Sequence, residues 1–436
     1  MGEVIKQVNE KIGKYRWTIC TLIFFATTIN YLDRQVIGIL KPVLKDDLGI
    51  GEAEYSYIVM AFQFAYAAGM ILAGRVIDKV GTKIGYALSL FLWSVAAIAH
   101  AFARGPLGFG IARAGLGLTE AGNFPAAIKT TAEWFPKKER ALATGIFNSG
   151  ANVGAILAPL LVPWIVRMYG WEMAFIATGA IGMTWLIFWF IFYEVPKKQK
   201  RLSKAELDYI NSDDEDSNSE KVPWLKLLKY RQTWAFVLGK FLTDPIWWFY
   251  LFWIPGWLAD VRGLDIKGGG FGLPLIVIYS STTVGSIFGG WLSSYMIKKG
   301  LPVNKSRKYT MLIFALLVIP IVFAQASGIG LWGAIALISL AASSHQAWSA
   351  NIFTTVSDMF PRKAVASVTG IGGMAGSVGG ILVAGLAGIL LEFWDAKDKI
   401  EAGYATLFVI AGSMYIIAWV IMHFMAPTME RVNLDE

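Results

Sequence analysis

Residues 135–154 read FPKKERALATGIFNSGANVG, and residues 360–379 read FPRKAVASVTGIGGMAGSVG. One ungapped offset of 225 residues relates the two runs. Phe135-Pro136-Lys137-Lys138 recurs as Phe360-Pro361-Arg362-Lys363, Thr144-Gly145 as Thr369-Gly370, and Val153-Gly154 as Val378-Gly379. Proline and glycine constrain or free the backbone at defined positions, so a shared register through them points to a duplicated architecture.

The residues around the repeat are apolar. Hydrophobic residues make up 56% of the chain before its 45 glycines are counted, and charged residues only 16%, where about 25% is usual in a soluble domain. A chain of 436 residues with so little charge cannot cover a water-soluble surface. The single cysteine, Cys20, excludes a disulfide scaffold, and three histidines make a Cys/His metal site unexpected. Twelve apolar runs approach the length of about 20 residues that crosses a hydrocarbon core. They cover roughly 17–40, 54–76, 84–103, 107–128, 140–165, 172–193, 233–257, 271–296, 309–326, 330–356, 363–391 and 403–426.

The expected fold is therefore all-α, with twelve transmembrane helices in two pseudosymmetric six-helix bundles, residues 1–193 and 233–436. Duplication of this kind is a mark of secondary transporters, whose halves rock about a site near the midplane. Residues 194–232 read as a solvated linker with basic (Lys197 to Arg201) and acidic (Asp213 to Asp216) clusters and Pro223. A short surface helix is expected near 203–210, and no chemistry is assigned to the linker charges. Of the lysines and arginines, 28 fall on the side of the termini, eight on the other side and three inside helices. That bias places both termini in the cytoplasm. The net charge of +8 is thus a topology signal, and no nucleic-acid partner is expected.

Six ionisable residues lie well inside the predicted helices: Asp33, Arg34, Arg113, Glu120, Lys240 and Asp244. Three acids and three bases sum to zero, and each costs about 2.5–3.5 kcal/mol at a helix centre. Each is a candidate functional residue, with mutual pairing as the competing structural role. At about 1.5 Å per residue, Asp33 and Arg113 share the outer third. Glu120 lies two turns deeper on the same wall as Arg113. Lys240 and Asp244 lie one turn apart on one helix face. Offsetting Glu120 by 225 gives His345, so two titratable groups would face each other across the pseudo-twofold axis.

Tyr31, Gln63, Tyr66, Asn148, Asn152 and Asn351 add hydroxyls and amides inside helices, and Gln346 adjoins His345. Trp247, Trp248, Phe249, Tyr250 and Trp253 form an aromatic cluster, with Trp348 expected opposite. Four consecutive aromatics cannot share one helix face, so at least one is expected to meet lipid. Aromatic walls with converging polar groups suit a polyhydroxylated ligand, and a buried arginine suits its carboxylate. A loop after the second helix, Gly74-x-x-x-Asp78-Lys79-x-Gly81-x-Lys83, recurs weakly as Gly290-x-x-x-Ser294 with Lys298 and Lys299. A helix-end carboxylate and cationic loop residues can latch helices together in one conformation.

That loop resembles the loop signature of the major facilitator superfamily. Asn30-Tyr31-Leu32-Asp33-Arg34, Glu120-Ala121-Gly122-Asn123-Phe124-Pro125 and Glu133-Trp134-Phe135-Pro136-Lys137-Lys138-Glu139-Arg140 resemble the anion:cation symporter branch of that superfamily, and bacterial hexuronate transporters most. Galactonate carriers share most of these motifs. The resemblance implies proton handling by Asp33 and Glu120, carboxylate contact by Arg34, and pocket positions at Tyr31, Tyr66 and Arg113. The function expected is proton-coupled hexuronate symport across a bacterial inner membrane, with His345 as a third proton-coupling candidate and Asn148, Gln346 and Trp348 lining the pocket. Lys240 and Asp244 stand as secondary candidates, and Gly74, Asp78, Lys79, Gly81 and Lys83 as the gating loop. No cofactor beyond the proton, no metal and no enzyme activity are expected, and the chain is expected to act as a monomer on a sugar acid. Two alternatives stay open: another organic anion such as galactonate, with sodium or exchange coupling, and a membrane sensor that binds without turnover.

Overall fold

A computed structural model describes residues 12–212, 224–266, 270–326 and 328–434. The acidic cluster Asp213 to Asp216, Pro223 and the side chain of Asp78 lie outside the described residues. The first half comprises α1 (Tyr15–Leu48), α2 (Glu52–Val80), α3 (Thr82–Ala99), α4 (Pro106–Glu120) continued by α5 (Asn123–Trp134), α6 (Lys137–Tyr169) and α7 (Trp171–Phe192). Two short helices follow, α8 (Lys204–Ile210) and α9 (Trp224–Leu227). The second half comprises α10 (Arg231–Phe252) with α11 (Ile254–Asp260), α12 (Gly272–Lys298), α13 (Val303–Val318), α14 (Leu331–Met359), α15 (Arg362–Asp395) and α16 (Ile400–Met425). Every predicted span is one of these helices or helix pairs.

Among the described residues, seven helices are apolar and long enough to cross a membrane on composition alone: α3, α6, α7, α12, α13, α15 and α16. The other five spans, α1, α2, α4–α5, α10 and α14, carry the polar residues of the interior.

The repeat survives as geometry. Phe135 and Phe360 each end a helix in extended conformation, with φ −127° and −119°, and Pro136 and Pro361 cap the helices that follow. A side chain at Gly154 would collide with the Thr28 carbonyl of α1, and one at Gly379 with the Phe241 carbonyl of α10. The same duplicated glycine therefore lets α6 lie on α1 and α15 on α10 at backbone contact.

Contacts between the halves gather at the end remote from the termini. A Cβ on Gly38 of α1 would come within 2.7 Å of the Leu251 carbonyl of α10. Tyr55 donates its hydroxyl to the Phe252 carbonyl at 2.8 Å, and Ser56 donates to that of Ala384 at 2.5 Å. Beyond them, Lys41 Nζ lies 2.8 Å from Glu52, 2.8 Å from the Tyr404 hydroxyl and 3.5 Å from Asp260, while Lys45 lies 3.1 Å from Asp395. This remote end is sealed. Toward the terminal face, Asn148 is exposed, and Gly145 and Gly373 have open space beside them.

Three expectations need correction. Lys41, one of the eight basic residues counted outside the helices on the side away from the termini, lies within α1 and is buried, because carboxylates of α2 and α11 and a hydroxyl of α16 surround it. None of Trp247, Trp248, Phe249 and Tyr250 is exposed, since α10 is flanked by α1, α14, α15 and α16. The linker helix α8 forms as expected, but its charges are not all solvated. Glu206 is buried and accepts hydrogen bonds from the Tyr15 and Arg16 amides at 3.2 and 3.1 Å. Arg16 also pairs with Glu139 at 2.8 Å, so α8 ties the start of α1 to that of α6.

Two outcomes follow from this packing. Gly154→Val and Gly379→Val should each destabilise the protein by about 2 kcal/mol or more through overpacking, read as a lower melting temperature in detergent. Lys41→Ala leaves Glu52 and Asp260 facing each other across the seal. A soluble maleimide should then label a Ser56→Cys reporter about tenfold faster, a shift of about 1.4 kcal/mol against the several lost with one partner of a buried pair.

Candidate functional site

The helix carrying Glu120 stops at that residue. Ala121 and Gly122 interrupt the span before α5 resumes at Asn123, and a side chain on Gly122 would strike Ser89 of α3. The break delivers the Glu120 carboxylate to α1, where Oε2 lies 3.0 Å from Arg34 Nε and 2.9 Å from its Nη2. Arg34 Nη2 also donates to Asn30 Oδ1 at 3.2 Å. Four aromatic rings enclose the guanidinium: Tyr31 and Tyr66 at 4.8 Å, Phe62 at 5.2 Å and Trp248 at 5.3 Å. Trp248 belongs to the second half, so the cage is closed from both halves. Cation–π contact of this kind compensates part of the lost hydration.

Arg113 stands beside this pair. It donates to the Arg34 carbonyl at 2.7 Å and lies over the Phe62 ring at 4.6 Å, while its Nε and Nη1 are buried without partners. Arg113 and Glu120 thus both reach Arg34 from α4, Glu120 at its guanidinium and Arg113 at its carbonyl oxygen. Asp33 turns to a different face of α1, toward Trp93 and Thr178, and its carboxylate oxygens make no hydrogen bond. Adjacent positions on a helix diverge by about 100°, so Asp33 and Arg34 cannot serve one pocket wall.

In the second half, Lys240 and Asp244 pair at 2.7 Å. His345 bonds through Nδ1 to the Tyr415 hydroxyl and stacks on Trp247 at 5.2 Å. It does not meet Glu120, contrary to the arrangement the repeat suggested, because its ring turns toward α16. Trp348 packs edge-on to Tyr415 at 5.6 Å rather than opposing the Trp247 cluster. Gln346 is half-buried and Asn148 exposed.

Several buried polar atoms around the cage lack partners: Glu120 Oε1, Asn30 Nδ2, and both amide atoms of Gln63. Each such group costs about 1–3 kcal/mol, and a cluster of them marks a place where a polar ligand would be satisfied. Gln63, read from the sequence only as one polar residue among several, approaches Gly380 of α15 close to Trp248. Its signal was its position one residue from Phe62, but nothing in the chain indicates which way its amide turns.

The loop after α2 belongs to a separate cluster. Gly81, at φ +84°, both ends α2 and opens α3, a conformation that favours glycine. Lys83 bonds Glu194 at 2.7 Å, and that ammonium holds the Glu194 carboxyl below its usual range. Thr82 and Tyr193 both donate to Glu133, at 2.6 and 2.8 Å. Lys79 is exposed, and a side chain added at Gly74 would meet open space among the described residues.

Comparison with known proteins agrees with this architecture. The chain is 36% identical over 395 residues to the hexuronate transporter of Escherichia coli (strain K12), covering 88% of this chain and 89% of that protein. It is 36% identical over 315 residues to the galacturonate transporter of Dickeya chrysanthemi, covering 71% and 90%. A solved structure of a bacterial homolog to the human lysosomal transporter Spinster, inward-facing and occupied, superposes with a TM-score of 0.79 at 16% identity, covering 95% and 98%. That likeness bears on the fold alone. Residues 23–384 match the model of the Major Facilitator Superfamily, a span that runs from α1 into α15 and includes the caged Arg34–Glu120 pair, and the chain belongs to that superfamily.

Proposed function

We propose that the protein is a secondary active transporter that carries hexuronates, such as glucuronate or galacturonate, together with protons across the bacterial inner membrane. Both termini would face the cytoplasm, and transport would proceed by alternating access. The two relatives above are named transporters of such acids, which supports a carrier rather than an enzyme. The observation that carries the reading is the buried Arg34–Glu120 pair, closed in by rings from both halves.

Charge counting gives the mechanism. Arg34, Arg113, Asp33 and Glu120 form a neutral set in the first half. An arriving carboxylate adds one negative charge to a site where an unbalanced charge costs several kcal/mol. Protonation of Glu120 removes that charge and releases the Arg34 fork, which can then take the substrate carboxylate bidentately. Proton and anion thereby stabilise the same state, and neither alone leaves the site neutral. Trp248 connects this exchange to the second half, so the ligand changes contacts across the interface. Such differential contact is what shifts a two-state carrier. Asp33, out of contact with the pair, would serve as a second proton station. The pocket lies within one chain, so a monomer suffices, and the proton is the only coupling species required.

Proteoliposomes given labelled glucuronate, galacturonate and galactonate, with proton and sodium gradients imposed separately, test the reading. Uphill uptake of a hexuronate driven by the proton gradient is expected. Uptake driven by sodium alone, or restricted to galactonate, would overturn it. Glu120→Gln should lose proton-driven accumulation while keeping exchange of labelled for unlabelled substrate. Arg34→Lys should raise KM at least about tenfold, since an ammonium cannot reproduce a bidentate fork.

A further inference from the structure

Lys240 and Asp244 take no part in the exchange between Arg34 and Glu120, yet they are the only charged pair within the span of α10 among the described residues. Their burial is unequal: the Lys240 side chain is 6% exposed and that of Asp244 22%. Lys240 Nζ is further held 4.2 Å over the Phe353 ring. The ammonium is thus held between a carboxylate and a ring, whereas the carboxylate is the more exposed of the two. A carboxylate has about four acceptor positions, and one lysine donor uses only one of them.

The carboxylate packs against α15. On α15, a Cβ at Gly376 would collide with the Asp244 carboxylate, one at Gly372 with Phe236, and one at Gly380 with Gln63. Three glycines one turn apart therefore make a groove, with Asp244 and the unpaired amide of Gln63 against successive turns of it. Across the interface, Trp248, one turn along α10 from Asp244, lies over the Arg34 guanidinium at 5.3 Å. Asp244 thus lies one helix turn from a second-half side chain that reaches Arg34 in the first half. Pro245 follows Asp244 and removes a backbone donor at this level of α10.

We propose that Asp244, oriented by Lys240, is the specificity-determining residue that accepts hydroxyl groups of the sugar acid whose carboxylate Arg34 holds. This rests on the reading of Arg34 given above. A carboxylate suits a polyol because one group accepts from two neighbouring hydroxyls, and a site built this way rejects analogues that leave it unpaired. The ligand then bridges the halves, carboxylate to the first and hydroxyls to the second.

The test is binding of glucuronate and its singly deoxygenated analogues to the full-length protein in lipid nanodiscs. In the unaltered protein, at least one analogue should bind about tenfold to a hundredfold more weakly than glucuronate, the range for a hydrogen bond to a charged group. In Asp244→Asn, glucuronate should fall toward the affinity of that analogue, which itself should change less than about twofold. Lys240→Gln/Asp244→Asn removes both charges together and should behave alike, so misfolding of the single variant leaves the outcome measurable. Equal weakening of glucuronate and every analogue would overturn the assignment, as would no weakening at all. Failure of the unaltered protein to bind glucuronate would overturn the hexuronate reading itself, and this inference with it.

Discussion

Arg34 and Glu120 lie 2.9 Å apart among helices that sit in hydrocarbon, where water cannot hydrate either charge. Breaking such a pair by removing one partner leaves a charge whose burial costs several kcal/mol. Much of the local architecture meets that demand. The break after Glu120 turns its carboxylate toward α1, Asn30 takes one guanidinium nitrogen, and four rings fill the remaining space. A neutral pair of this kind is stable at rest but can be exchanged for another neutral set. Binding an anion and a proton together is one such exchange.

The same economy of charge recurs at the sealed end. Lys41 is shared by Glu52, Asp260 and the Tyr404 hydroxyl, drawn from both halves. This is an interface in which polar contacts supply registry, while close backbone approach at Gly38, Gly272 and Gly388 supplies area. Helices in lipid gain nothing from hiding apolar surface from each other, so packing depends on small residues and on hydrogen bonds. The duplicated glycines at 154 and 379 carry that rule into each half, where they set α6 on α1 and α15 on α10.

The seal and the cage are structurally distinct but share α1. That helix runs from Arg16, paired with Glu206 of α8 near one face, past Arg34, to Lys41 and Lys45 at the other. Its N-terminal end is tied to the linker helix, its middle to α4 and its far end to the second half. A displacement of the halves must therefore be felt at all three levels. Trp248 makes the coupling explicit, since a residue of the second half stacks on a cation of the first.

Most of the fold was legible in the chain alone. Hydrocarbon thickness sets helix length, so twelve apolar runs could be counted, and the repeat at offset 225 paired the halves before any coordinates were at hand. The interior charges were legible for the same reason: each is anomalous in an apolar run. What the sequence by itself determined was therefore depth, the level of each polar residue along its helix. It did not determine direction. Glu120 chose Arg34 over Arg113, His345 turned to Tyr415, Asp33 turned from the pocket, and Lys41 was drawn inside by carboxylates up to more than two hundred residues distant. Only the tertiary structure decided these pairings, because adjacent residues on a helix point about 100° apart and the neighbour that each one meets belongs to another part of the chain.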